Sequence, residues 1–279
     1  MNTAGGFLDD MARSSAARVA QAVKLESFGQ LESRARAAPP SPTLRLSGGG
    51  FDIIAELKLR SPAAGRLGDA AEDWLGRIAA YARGGAAAVS VLTEPSRFDG
   101  SLEHLRRAAA VLLPLGVPAM RKDFLVDPYQ VLEARAAGAG GVLLILRMLP
   151  RSRLVELLEV AAGHGMFVLL EAFDEADLAL AAELTAPAAR APRQPVLIGV
   201  NCRDLQTLAV VPQRFAALAP RLPPGRPAVA ESGVAGAADA RRMLELGYRM
   251  ALIGTALMAR EDPAELLREI RDATRTVQT

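Results

Sequence analysis

Ile53-Ile54-Ala55-Glu56-Leu57-Lys58 is an apolar run that closes on a carboxylate and an ammonium. A parallel strand covered on both faces reads as such a continuous run, and a charge at its end costs free energy unless something compensates it. The same construction recurs along the chain. Val117-Pro118-Ala119-Met120-Arg121-Lys122 closes on Lys122, and Phe167-Val168-Leu169-Leu170-Glu171 on Glu171. Val196-Leu197-Ile198-Gly199-Val200-Asn201 closes on Asn201, and Ala228-Val229-Ala230-Glu231 on Glu231. Ala88-Val89-Ser90-Val91-Leu92, a run ending at Leu144, and Met250-Ala251-Leu252-Ile253-Gly254 complete a set of eight. Polar residues at matching ends of separate strands imply one shared site.

Helical segments fit between the runs. Asp73 to Arg83 carries Trp74, Leu75, Ile78 and Ala82 on one face, and Pro128 to Ala137 carries Val131, Leu132 and Ala136 before Gly138, a common helix stop. Eight βα units after Phe51 predict an α/β fold, a single (β/α)8 TIM barrel over residues 51–279. A doubly wound open sheet is the runner-up, because βαβ alternation alone does not separate the two. Residues 1–50 differ. Phe7 to Lys24 has helical spacing, Leu31 to Ala38 reads as a second short helix, and Pro39, Pro40 and Pro42 end it before Gly48-Gly49-Gly50. This stretch is expected to be an N-terminal helical extension packed on the barrel. The Ala/Pro segment Thr185 to Pro195 is expected on the face away from the site.

The totals narrow the function classes. The 279 residues carry 33 basic and 31 acidic side chains, with no long basic block interleaved with aromatics, so nucleic-acid binding has no support. One cysteine rules out an intrachain disulfide and a multi-cysteine zinc site, and His104 and His164 fall outside the strand ends. No apolar run approaches the roughly 20 residues of a membrane span. Asp9 and Asp10 argue against a transit peptide, so a cytoplasmic setting is expected.

Active sites of such barrels form at the carboxyl ends of the strands. Glu56 and Lys58, two apart, share one face of the first strand, and a carboxylate with an ammonium in a dry cavity suits proton transfer. Glu231-Ser232-Gly233 and Gly254-Thr255 follow the last two strands. Together with Ser61 after the first, they predict a phosphate cradle of Ser61, Gly233, Gly254 and Thr255. Other residues have plainer readings. Trp74 is expected to pack a helix on the barrel, Cys202 to be a small buried hydrophobe, and Arg203 with Asp204 to form a local pair holding the loop after Asn201. Arg121 should face the helix layer in a structural salt bridge.

Ile54-Ala55-Glu56-Leu57-Lys58 with Ser61-Pro62 and Gly65 resembles the opening motif of the indole-3-glycerol-phosphate synthase family. So do Ser90-Val91-Leu92-Thr93-Glu94 with Phe98 and Gly100-Ser101-Leu102, Arg121-Lys122-Asp123-Phe124 with Asp127-Pro128-Tyr129-Gln130, and Glu133 through Ala139. Gly199-Val200-Asn201-Cys202-Arg203-Asp204-Leu205, Ala230-Glu231-Ser232-Gly233 and Ile253-Gly254-Thr255-Ala256-Leu257-Met258 complete seven ordered motifs between Phe51 and Pro263. The N-terminal extension is similar to that family's as well.

The resemblance implies conversion of 1-(2-carboxyphenylamino)-1-deoxyribulose 5-phosphate to indole-3-glycerol phosphate, CO2 and water, a step of tryptophan biosynthesis. It implies Lys122 as general acid, Lys58 at the substrate carboxylate and in dehydration, Glu56 and Glu171 as proton handlers in either order, and Asn201 orienting hydroxyls. Phe124 would lie against the anthranilate ring, with Arg203, Glu231 and Ser232 lining the pocket. No metal or organic cofactor is expected, the partner is a phosphorylated small molecule, and a monomer with no known docking enzyme is the default. Departures from the family pattern are Leu59 in place of a basic residue, Ala63-Ala64 in place of a Ser-Lys-like pair, Phe173 where His or Asn is common, and Cys202 where Asn is common. They leave two other readings: a paralogue closing a modified anthranilate adduct in secondary metabolism, separable by turnover of ring-substituted substrates, or a silent barrel kept as a binding partner.

Overall fold

The computed structural model describes residues 6–58, 60–61, 65–66, 73–186, 195–204, 207 and 209–275. Eight strands form its centre: β1 (Asp52–Leu57), β2 (Ala88–Leu92), β3 (Ala119–Lys122), β4 (Gly141–Ile145), β5 (Phe167–Ala172), β6 (Val196–Asn201), β7 (Ala228–Glu231) and β8 (Met250–Ile253). Each pairs in parallel with the next, and β8 closes on β1 with Asp52 opposite Met250 and Ala55 opposite Ile253. Closure removes the open-sheet alternative, since no edge strand remains in this sheet. With the strand ends read from the sequence as Glu56, Leu92, Lys122, Leu144, Glu171, Asn201, Glu231 and Ile253, the match is within one residue: β1, β4 and β5 each run one residue further.

The pleat sorts side chains into two cores. Ile54, Ala88, Met120, Leu143, Leu169, Leu197, Val229 and Leu252 form one cluster, one residue from each strand, and so fill the barrel interior. Their outward neighbours, such as Ile53, Val89, Ala119, Val142, Leu170 and Ile198, join the helices in a second and larger cluster. The step of two then dictates the site. Glu56 follows Ile54, Lys122 follows Met120, Glu171 follows Leu169 and Glu231 follows Val229, so four charged side chains sit one layer above the apolar interior.

Helices α1 (Phe7–Leu25) and α2 (Phe28–Ala37) make up the extension, and α2 begins three residues earlier than its apolar spacing suggests. The reason is local: Ser27 and Gln30 form a capping box, a start signal that sits ahead of the first buried residue, Leu31. Between β1 and β2 lie a two-residue hairpin pairing Arg60 and Ser61 with Gly65 and Arg66, then α3 (Trp74–Arg83) capped by Asp73. A short α4 (Pro95–Phe98) and α5 (Leu102–Leu112) follow β2, α6 (Pro128–Ala136) follows β3, and α7 (Arg151–Gly163) follows β4. The remaining helices are α8 (Glu175–Leu184), α9 (Gln213–Leu218), α10 (Ala237–Glu245), α11 (Thr255–Met258) and α12 (Pro263–Ala273). Trp74 packs against the helix-layer core, edge-on to the His104 ring and under the Arg107 guanidinium, as a packing residue should. Residues 187–194 of the Ala/Pro segment, together with Leu59, Ala63 and Ala64, lie outside the described residues.

The extension is docked by specific contacts. Leu31 and Ala35 of α2 are buried against Tyr129 and Leu132 of α6. Tyr129 donates its hydroxyl proton to the Glu26 carbonyl, and Arg135 donates to the carbonyls of Ala38 and Pro39. No helix among the described residues is long and apolar enough to cross a membrane.

Candidate active site

A cavity of about 480 Å³ opens at the carboxyl end of the barrel. Glu56, Lys58, Lys122, Glu171, Asn201 and Glu231 all line it. The Lys122 ammonium is the hub. Its Nζ lies 3.2 Å from Glu231 Oε2, 3.7 Å from Glu56 Oε2 and 3.9 Å from Glu171 Oε1. Lys58 Nζ stands 3.3 Å from Glu56 Oε1, as the shared face of β1 requires. Asn201 donates from Nδ2 to Glu171 Oε1 at 2.7 Å, while its Oδ1 accepts from the Ser232 hydroxyl and the Arg203 N–H. Two lysines and three carboxylates from four strands therefore surround one hollow, although Lys58 and Glu231 are far apart in the chain.

The charges reset one another. Burial pushes the Glu56 carboxyl up, but Lys58 and Lys122 outweigh it and hold the group below the usual range. Burial also works against the Lys122 cation, yet Glu231, Glu56 and Glu171 raise it above an ordinary lysine. Glu231 moves the other way. Burial, then the neighbouring Glu171 charge, pushes it up to about 8 against the pull of Lys122. The hollow thus holds a fixed cation beside a carboxyl that keeps its proton into the neutral range. Three carboxylates facing one ammonium cannot all be ionised cheaply, which is the physical cause of the split.

The cavity has an apolar wall and a glycine wall. On the apolar side Phe124 meets Phe7 edge-on at 5.7 Å between centroids and Phe98 at 6.4 Å, with Leu8, Leu143 and Phe173 nearby. Phe7 and Leu8 come from α1, so the extension forms part of the site. Sequence reasoning missed them and Phe98 as lining residues; the signal available was two large apolar residues side by side at the very start of the helix. Phe173 is buried, with the Arg147 guanidinium 4.8 Å over its ring, and Arg147 is anchored on Asp174 and Asp177. On the opposite wall stand Ser232, Gly233, Gly254 and Thr255. Ser232 (φ 67°) and Gly233 (φ 71°) are both left-handed, a conformation unusual for serine and one that folds the chain sharply back behind Glu231. The Ser61 side chain lies outside the described residues.

Immediately beside Lys122, Asp123 also borders the cavity, and its carboxylate binds the extension. Its Oδ1 accepts from Arg18 Nη2 at 2.7 Å and from the Phe124 N–H at 2.8 Å. Its Oδ2 accepts from Arg18 Nη1, the Thr93 hydroxyl and Arg121 Nη2 at 2.9, 2.7 and 3.1 Å. Arg121 is 1 % exposed and also bonds Glu133, in the structural role expected of it. Burial opposes ionisation of Asp123, but the Arg18 hydrogen bonds and the Arg121 charge hold its carboxyl far below the usual range. Cys202 is fully buried in the outer core, its thiol pushed up by burial, which is the inert reading expected of it. Arg203 lines the cavity, and its carbonyl, like that of Asn201, accepts from Arg214 Nη1. The Asp204 carboxylate accepts from the Thr207 N–H and hydroxyl.

A closed parallel barrel with paired ammonium and carboxylate groups beside a glycine-lined wall defines a barrel enzyme built for proton transfer on an anionic small molecule. Residues 8–270 match the family model described as indole-3-glycerol phosphate synthase, and the chain belongs to that family. It is 43% identical over 235 residues to the indole-3-glycerol phosphate synthase of a Nocardioides species, covering 83% of this chain and 84% of that one. It is 40% identical over 270 residues to that of Mycolicibacterium smegmatis, covering 94% and 93%. Among solved structures, 3-hexulose-6-phosphate synthase from Salmonella typhimurium superposes with a TM-score of 0.61 at 13% identity, covering 80% of this chain and 98% of that one, a likeness of fold alone.

Proposed function

We propose that the chain closes the indole ring, converting 1-(2-carboxyphenylamino)-1-deoxyribulose 5-phosphate to indole-3-glycerol phosphate with release of CO2 and water. The observation that carries the reading is the Lys122 ammonium held among Glu56, Glu171 and Glu231, with Lys58 alongside, between an aromatic wall and a glycine wall.

The steps follow from that geometry. The anthranilate ring lies against Phe124 and Phe7, and the phosphate sits at the backbone N–H groups around Gly233, Gly254 and Thr255, with Ser61 at the loop after β1. The ring carbon attacks the ketone, and Lys122, strongly protonated, gives a proton to the developing alkoxide, a far stronger base than any side chain present. Lys58 neutralises the ring carboxylate until CO2 leaves and aromaticity returns. Dehydration then needs an acid at the departing hydroxyl and a base for the neighbouring proton. Glu56, Glu171 and Lys58 are in reach of those tasks, and Asn201 orients the hydroxyls from its fixed place between Glu171 and Ser232. Arg203, Glu231 and Ser232 line the pocket around the sugar chain. The ring itself takes up and returns the electrons, so the scheme calls on no cofactor.

The proposal treats residues 1–50 as an extension of one catalytic domain, 51–279, acting in the cytoplasm as a single chain on a phosphorylated small molecule, with no nucleic acid involved. A paralogue with a modified substrate and a silent barrel are both less well supported, because the relatives carry the plain synthase name and the polar set is complete. Purified protein incubated with the ribulose-phosphate adduct should develop indole fluorescence. No signal from a folded protein would refute the reading.

A further inference from the structure

Glu231 is bent back against the barrel wall, and the wall has a recess there. Gly199 lies on β6, in register with Glu171 of β5 on one side and Val229 of β7 on the other. A Cβ built at Gly199 would lie 2.0 Å from Glu231 Oε1, and 3.1 Å from both Glu231 Cδ and Leu169 Cδ1. Gly199 is not among the glycines with positive φ, so its backbone would accept any residue. Glycine inside a strand weakens the strand, which makes the missing side chain the feature to be explained. Glu231 Oε1 is buried and has no hydrogen-bond partner among the described residues, while Oε2 bonds Lys122.

We propose that Gly199 is a positioning residue for the ring-closing reaction: the recess it leaves holds Glu231 Oε1 in the wall, keeps Oε2 on Lys122, and keeps the space between Glu171 and Glu231 clear. An alanine there would meet the far end of a flexible side chain, not a backbone atom, and Leu169 would give by a few tenths of an ångström. The barrel therefore survives the substitution, and the strain falls on the carboxyl. Displaced from the recess, that carboxyl moves toward Lys122 and Glu171, the groups whose spacing the chemistry uses. An ångström of misplacement in an active site costs up to on the order of a hundredfold in rate.

This inference rests on the ring-closure reading, which wild-type turnover tests by itself. Gly199→Ala should lower kcat by about tenfold to a hundredfold, with KM within about threefold and a melting midpoint close to wild type. The decisive comparison introduces Gly199→Ala into Glu231→Ala, where no carboxyl remains to be displaced and the penalty should vanish. Where Glu231→Ala turns over too slowly for steady-state assays, single-turnover conversion with enzyme in excess over substrate is read instead, and the same cancellation is required. Glu231→Asp, which withdraws the carboxyl from the recess, should recover part of the loss in Gly199→Ala. Wild-type kcat in Gly199→Ala overturns the proposal. So does an equal penalty with and without Glu231, which would mean that the methyl acts through Leu169 and the barrel packing.

Discussion

Arg121 and Lys122 are neighbours in β3, and they face two charged clusters of opposite character. On the helix side, Arg121 joins Asp123, Arg18, Thr93 and Glu133, and both Asp123 oxygens are fully occupied by donors. On the barrel side, Lys122 faces three carboxylates, and Glu56 Oε2 and Glu231 Oε1 have no hydrogen-bond partner among the described residues. The helix-side carboxylate is driven far below its ordinary value and stays ionised, while Glu231 is driven up and keeps a proton. A buried charge with every lone pair taken is a fastener, because any change in it costs a full desolvation penalty. A buried cluster left partly unpaired is free to receive a substrate and pass protons.

That contrast can be broken from either side. Lys122→Ala should lower kcat by about a thousandfold, within the usual range for a lost general acid, and should also lower the melting midpoint, because Glu56, Glu171 and Glu231 lose the cation they share. Steady-state fluorescence assays beside thermal scans would check it, and near-normal turnover would remove Lys122 from the chemistry. Asp123→Ala should act chiefly on stability. Leaving Arg18 without its carboxylate and Arg121 with Glu133 as its remaining counterion costs about 3–5 kcal/mol, read as a fall in the denaturant midpoint. Its kcat should fall as well, since Phe124 loses the acceptor for its N–H.

The pH dependence of stability sharpens the comparison further. Folding raises Glu231 from an ordinary 4.5 to about 8, so the native state binds the extra proton between those values. The stability associated with that proton is complete below about pH 4.5 and is lost as pH climbs through about 8. Glu231→Gln removes that dependence, so its melting midpoint should gain on wild type between pH 5 and pH 9. A constant offset across that range would show that Glu231 titrates normally. The smallest effect is expected at the aromatic wall. Phe7→Ala should raise KM by about three- to tenfold with little change in kcat, reflecting lost contact with the substrate ring and not lost proton transfer.

Much of the site was legible because the pleat has a period of two. Once Ile54, Met120, Leu169 and Val229 are inward, Glu56, Lys122, Glu171 and Glu231 have no other direction to take, and Arg121 must face the helices. The extension was harder. Its helices are readable, but nothing in Phe7 or Leu8 says which end of the barrel they reach, and nothing in Arg18 names Asp123 as its partner across more than a hundred residues. Leu59, Ala63 and Ala64, which depart from the family pattern, fall outside the described residues and stay with the sequence reading.

By itself the sequence determined the strand count, the inward and outward faces, and the set of charges at the strand ends, because pleat alternation and the burial of apolar runs are local properties of the chain. Tertiary structure alone decided which carboxylates share Lys122, that α1 walls the cavity, and that Gly199 makes room for Glu231. Those facts depend on how far the closed sheet staggers its strands and where the extension docks, and both are set by contacts between segments that no local pattern connects.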